Sequence, residues 1–287
     1  MQILNVRKTL LNYCLIILGS GATLYAGVCL LLFWGQNRLI FFPDSQVKST
    51  PKKYQLDYQD IWINIDRQKI HGWWIPAAQK SAPAVIYFHG NASNNGDLVD
   101  NAAVFHNLGL STLLIDYRGY GKSSPIFPNE TRVYEDAAAA WQYLTQTRQL
   151  KPENIFVYGH SLGGAIAIEL ASKQPDMAGL IIEGTFTSIR DMGSVNPLFK
   201  LLPLNLIVNQ RFDSINKISA LKMPLLIFHG TDDEIIPDRM AQQLFAKAPQ
   251  PKKLVFVPEA KHDNLHKVGS PEYTSSLKQF ILENSQQ

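Results

Sequence analysis

Apolar and polar positions divide the chain into two unequal parts. No charged side chain falls between Lys8 and Arg38, and residues 10–34 read LLNYCLIILGSGATLYAGVCLLLFW. As a helix that run would extend about 37 Å against a hydrocarbon core of about 30 Å, long enough to span a bilayer with some tilt. From about Tyr54 the pattern changes to short apolar runs alternating with amphipathic stretches. DIWINI and KIHGWWIPA predict two antiparallel strands joined by a tight turn near Asp66-Arg67-Gln68. PAVIYFHG, STLLIDY, NIFVYGHS, GLIIEGT, PLLIFHG and KKLVFVP follow, the first five ending in polar or glycine residues. Continuous apolar runs of this kind suit parallel strands covered by helices on both faces. Between them the pattern predicts helices at roughly 95–108, 130–147, 162–173, 237–247 and 270–284. Repeated strand–helix alternation predicts one α/β domain with a mostly parallel, doubly wound sheet.

The organisation expected is therefore a short flank (1–9), a transmembrane anchor (10–34), a juxtamembrane linker (35–53) and an α/β domain (54–287). A secretory signal core would end at a small-residue cleavage site after about 7–15 apolar residues. Here Gly19-Ser20-Gly21-Ala22 is followed by a second apolar block ending CLLLFW, which predicts an uncleaved anchor. The positive flank close to the run, Arg7 and Lys8, favours a cytoplasmic N-terminus with the body on the extracytoplasmic side. One connection is unusually long. Residues of about 186–220 form an insertion containing NPLFKLLPLNLIV, which reads either as a lid or as a crossover helix packed on the sheet.

Charge and cysteine usage narrow the function classes. Residues 1–53 hold six basic groups and one acid, a net +5 within a chain whose total is +3, so the body carries −2. It has no positive excess for phosphate backbones, and nucleic acid is not an expected partner. Both cysteines, Cys14 and Cys29, lie in the apolar run. The body can form neither a disulfide nor a thiolate zinc site.

Active sites of open α/β sheets form at the carboxyl ends of the strands. After NIFVY comes Gly159-His160-Ser161-Leu162-Gly163, a G-x-S-x-G between a predicted buried strand and an alanine-rich helix. A serine on such a turn projects its Oγ from the sheet edge, with helix amides behind it for a developing oxyanion. Serine needs a base to take its proton and an acid to orient that base, in the chain order serine, acid, histidine. The acidic turn Asp232-Asp233-Glu234 follows PLLIF, and His262 follows KKLVFVP. The amides of Asn91 and Leu162 are the expected oxyanion hole, with Ala92 as the alternative to Asn91. His89 is expected to be buried and to hold its loop, and His266 to lie on a helix surface. His262 and His266 are spaced for a metal pair, but no third ligand cluster accompanies them, so neither metal nor cofactor is expected. Asp116 to Ser123 lacks the glycine that a phosphate-binding loop needs before its G-K-S, and is expected to be a structured loop with Asp116 and Arg118 in polar contacts.

The segments HGNASN, DYRGYGKSSP, GHSLGG, FTSIRDM, HGTDDEIIP and AKHDNL, behind an anchor ending QNRLIFFP, resemble the membrane-anchored α/β-hydrolase-domain serine hydrolases. That family includes the eukaryotic protein depalmitoylases and bacterial members. The resemblance implies an α/β-hydrolase fold with Ser161 as nucleophile, His262 as base and, within the acidic turn, Asp233 as the acid. It implies cleavage of carboxylic esters or thioesters through an acyl-serine intermediate, on small-molecule or acyl, lipid-like substrates near a membrane. A peptidase or amidase on the same residues, and a non-catalytic membrane binding protein, are the alternatives.

Overall fold

The computed structural model describes residues 2–269 and 271–285. The apolar run is the middle of a longer helix, α1 (Gln2–Ile40), about 58 Å long at the usual rise. A core helix of a soluble domain would be buried, yet none of the most apolar window of Leu10–Ile40 is covered. This makes it a candidate membrane span. The helix continues through residues 35–40, where a linker was expected, because the body holds that end. Gln36 is buried there and its side chain bonds the insertion, while Phe41 packs on Phe212 in the core.

The eight strands are β1 (Gln59–Ile65), β2 (Gln68–Ile75), β3 (Ala84–Phe88), β4 (Ser111–Ile115), β5 (Ile155–His160), β6 (Gly179–Glu183), β7 (Leu225–Gly230) and β8 (Lys252–Val257). They form one sheet in the order β1-β2-β4-β3-β5-β6-β7-β8 among the described residues. β1 and β2 form the expected hairpin, Ile65 facing Gln68 across a turn in which Asp66 takes a φ of 52°. β2 also runs antiparallel to β4, and every later pairing is parallel.

The remaining helices are α2 (Val99–Asn107), α3 (Glu130–Gln142), α4 (Leu162–Lys173), α5 (Ile189–Gly193), α6 (Leu204–Ile207), α7 (Ser214–Lys217), α8 (Asp238–Lys247), α9 (Leu265–Val268) and α10 (Pro271–Asn284). Side chains of β3 alternate between two cores, as the period of a strand requires. Ala84, Ile86 and Phe88 face the core under α3, α4 and α8, and Val85 and Tyr87 face the one under α2 and α10. Burying Val85, Ile86 or Phe88 contributes about 1.5–3 kcal/mol each. With both faces covered, β3 to β7 have no solvent-facing side, which is why their sequences do not alternate.

Strand order reverses at β3, which has β4 on one side and β5 on the other. The carboxyl ends of β3 and β5 therefore border the crevice where ligands bind in such sheets. The insertion is a chain of short pieces rather than one crossover helix. It contains α5, a tight turn at Pro197–Leu201, α6 and α7.

Candidate active site

Ser161 stands between the last residue of β5 and the first of α4, with φ 53° and ψ −118°. This conformation is costly for a residue with a side chain. It persists because its surroundings hold it. Ser161 N–H donates to Glu183 O at 2.9 Å, and Ser161 O accepts from Thr185 Oγ1 at 2.8 Å and Gly164 N–H at 3.0 Å. The neighbouring glycines are steric necessities. A Cβ on Gly159 would strike the backbone of Gly163, and one on Gly163 would strike the carbonyl of Phe88 at the end of β3.

The three residues predicted to act together do meet. His262 Nε2 lies 2.9 Å from Ser161 Oγ, and His262 Nδ1 lies 2.8 Å from Asp233 Oδ2. Asp233 Oδ1 accepts from the amides of Ile235 and Ile236, each at 2.9 Å, so the turn after β7 aims the carboxylate. Asp232 is exposed and bonds Thr231 instead, which separates it from the site. Burial works to raise the Asp233 carboxyl, but the hydrogen bonds with His262 and the two amides outweigh it and hold its pKa below the ordinary value. Burial likewise works to lower His262, and the hydrogen bond and charge of Asp233 outweigh it, leaving the imidazole above its ordinary value. A histidine with this pairing keeps its proton on Nδ1, donating it to the carboxylate, and offers Nε2 to the hydroxyl.

The loop after β3 faces this group. Neither the Asn91 nor the Leu162 amide donates to a protein acceptor among the described residues, and both residues line the same cavity as Ser161. The Asn91 peptide is held from both sides. Its carbonyl accepts from Phe42 N–H at 3.0 Å and Tyr120 Oη at 2.7 Å, and its side chain donates to Ile40 O at 3.0 Å. His89 is fully buried, as expected, with Nδ1 2.7 Å from Gly90 O, and burial lowers its pKa. Asp116 and Arg118 make the expected polar contacts, Asp116 accepting from Asn95 N–H and Arg118 bonding Asp136 and Glu135.

Some of the site escapes sequence reasoning. His266, in α9, is half-buried and lines the cavity rather than lying on a solvent-facing helix surface. Glu183 is buried at the end of β6, where Tyr158 and Tyr273 donate to its carboxylate. A lone acid ending the apolar run of β6 was its signal. His160 Nε2 lies 2.9 Å from His262 O and fixes the loop that carries the base. Ligand atoms of His160, His262 and Asp263 fall within 4.8 Å of one another, but both His262 nitrogens already have partners in Ser161 and Asp233.

The cavity above Ser161 measures about 730 Å³, within the usual range for small-molecule sites. Leu32, Leu39 and Ile40 of α1 line one side, with Phe199, Leu204 and Ile207 of the insertion. Gln36 of α1 and Asn196 of the insertion add polar groups to that side, and others come from Asp97 just before α2, Asn101 within it, and Asp263 and Lys267 near α9.

Comparison with known proteins agrees with this architecture. Residues 79–217 and 212–267 match the family described as serine aminopeptidase S33. The α/β-hydrolase domain-containing protein WAV2 of Arabidopsis thaliana is 31% identical, over 92% of this chain and 92% of that protein. The lysophosphatidylserine lipase ABHD12 of Danio rerio is 31% identical, over 75% of this chain and 58% of that protein. Among solved structures, an esterase of Pyrococcus furiosus superposes with a TM-score of 0.74 at 20% identity, covering 86% of this chain and 98% of that one. Sheet order, strand-end turn and sequence matches together make this chain a hydrolase of the α/β-hydrolase fold, belonging to the serine aminopeptidase S33 family.

Proposed function

We propose that the protein cleaves carboxylic esters or thioesters of acyl substrates through an acyl-serine intermediate. The observation that carries this reading is the unbroken chain of hydrogen-bond contacts from Asp233 through His262 to Ser161 Oγ, beneath two unpaired amides. His262 Nε2 takes the Ser161 proton as Oγ bonds the substrate carbonyl carbon. The resulting oxyanion accepts from the Asn91 and Leu162 amides. His262 then gives its proton to the departing alcohol or thiol as the carbonyl–heteroatom bond breaks. Water repeats the sequence on the acyl-serine, releasing the acid and restoring Ser161. Asp233 stays ionised and fixes the imidazole tautomer.

An acyl substrate suits the Leu- and Phe-lined wall of the cavity, and one relative is a lysophosphatidylserine lipase. The family description favours a second reading, hydrolysis of peptides from their amino end. Assay of p-nitrophenyl esters and aminoacyl p-nitroanilides with one preparation separates them. The ester reading expects turnover of the esters and its loss in Ser161→Ala; equal turnover by Ser161→Ala contradicts it, and turnover of the anilides alone favours the peptidase.

A further inference from the structure

The insertion and α1 are built together. Tyr25 Oη donates to Leu201 O at 2.8 Å, and Gln36 Nε2 to Ile207 O at 3.0 Å. Gln36 Oε1 accepts in turn from the amides of Asn209 at 2.9 Å and Gln210 at 3.0 Å. Tyr25 lies 15 residues before the end of α1 at Ile40, about 22 Å along the axis. The insertion therefore runs beside the helix to a level well inside the apolar run. In water, Leu198, Leu201 and Leu206, which are 73%, 76% and 79% exposed, would form an unpaired apolar patch on its outer side. Phe199, Leu202 and Leu204, from the same segment, line the cavity instead. One thin element thus separates Ser161 from the surface at which an embedded α1 meets lipid.

From this arrangement we infer that residues 197–206 sit in the bilayer beside α1, and that the cavity takes its substrate sideways from the hydrocarbon. The occupant is the ester or thioester of a bilayer-resident acyl amphiphile. Its tail lies between Leu32 and Leu39 of α1 and Phe199 and Leu204 of the insertion. Its carbonyl reaches Ser161, and its head group leaves toward Asp97, Asn101 and Lys267. Lys200, exposed in the same turn, is the one charged residue between 197 and 206, and its aliphatic stem carries the ammonium away from the neighbouring leucines. The inference rests on the acyl-serine reading for its chemistry and on the Tyr25–Leu201 contact for its geometry.

The test uses full-length protein in phosphatidylcholine vesicles, with p-nitrophenyl palmitate held in the bilayer and p-nitrophenyl acetate in water. The double variant Leu201→Glu/Leu206→Glu should lose about ten-fold or more in kcat/KM on the palmitate, since a carboxylate resists hydrocarbon. Both leucines lie outside the cavity lining, so the acetate rate should stay within about two-fold. Undiminished palmitate turnover overturns the inference. A second readout is independent of catalysis. With Cys14 and Cys29 replaced by serine, a dye on Leu206→Cys should be quenched by acyl-chain spin-labelled lipid, and an unquenched dye overturns the embedding. Wild-type protein that hydrolyses neither ester contradicts the acyl-serine reading instead, while the quenching result still decides the position of the insertion.

Discussion

The side chain of Asn91 donates to the carbonyl of Ile40 at 3.0 Å, so the loop beside Ser161 is tied to the last residue of α1. The amide proposed to meet the oxyanion is positioned by the end of α1. Asn91→Ala keeps that amide and removes the tether. Small misplacements of oriented groups are costly, and kcat on a short ester should fall about ten-fold while KM changes little. Steady-state kinetics beside a melting curve checks this, since a loss of stability alone would not lower kcat per folded molecule.

Ser161 is held at φ 53°, a conformation glycine adopts without penalty. Ser161→Gly and Ser161→Ala both remove the Oγ and should both be inactive. They should differ in stability. Ser161→Gly is expected to exceed Ser161→Ala by about 1 kcal/mol, the strain released less the chain entropy a glycine costs. Urea unfolding in matched detergent measures the difference.

His262 must be neutral to accept the Ser161 proton, and its pKa lies above the ordinary 6.5. The acid limb of kcat/KM, which reports the free enzyme, should therefore fall above pH 6.5, with activity lost as pH drops through it. Asp233→Asn removes the carboxylate that raises the imidazole and leaves the opposing effect of burial. The limb should move to lower pH, and the remaining rate should be about 10⁴-fold below wild type because the wrong tautomer is favoured. A pH–rate series on both proteins checks position and direction.

Ile207 lines the cavity and Gln36 holds its carbonyl, so its side chain is a fixed part of the wall. Ile207→Trp adds bulk where the acyl tail is proposed to lie. The preferred chain should shorten, with kcat/KM on long-chain esters falling about ten-fold relative to the acetate ester. An acyl-length series from acetate to palmitate tests it.

What the sequence revealed and what it withheld follow from the range of the interactions. Ser161 was legible because strand, turn and helix are consecutive, and small residues at 159 and 163 are a local requirement of that turn. His262 and the acidic turn were legible because each ends a strand, and strand ends converge on one edge of the sheet. The choice of Asp233 over Asp232 came from family resemblance, and its physical basis is a pair of amides from Ile235 and Ile236 that spacing does not reveal. The inward placement of His266 and the contact of Tyr25 with Leu201 depend on segments distant in sequence. Nothing in the pattern around residue 36 announced that a glutamine would hold the insertion.

The nucleophile is the claim on which the rest depends. Wild-type protein treated with a fluorophosphonate, digested and mapped by mass spectrometry, should carry one phosphonyl adduct on the Ser161 hydroxyl, formed with loss of fluoride. The adduct should be absent from Ser161→Ala and strongly reduced in His262→Ala. Folded wild-type protein that stays unmodified, or carries its adduct on a different serine, would contradict the account.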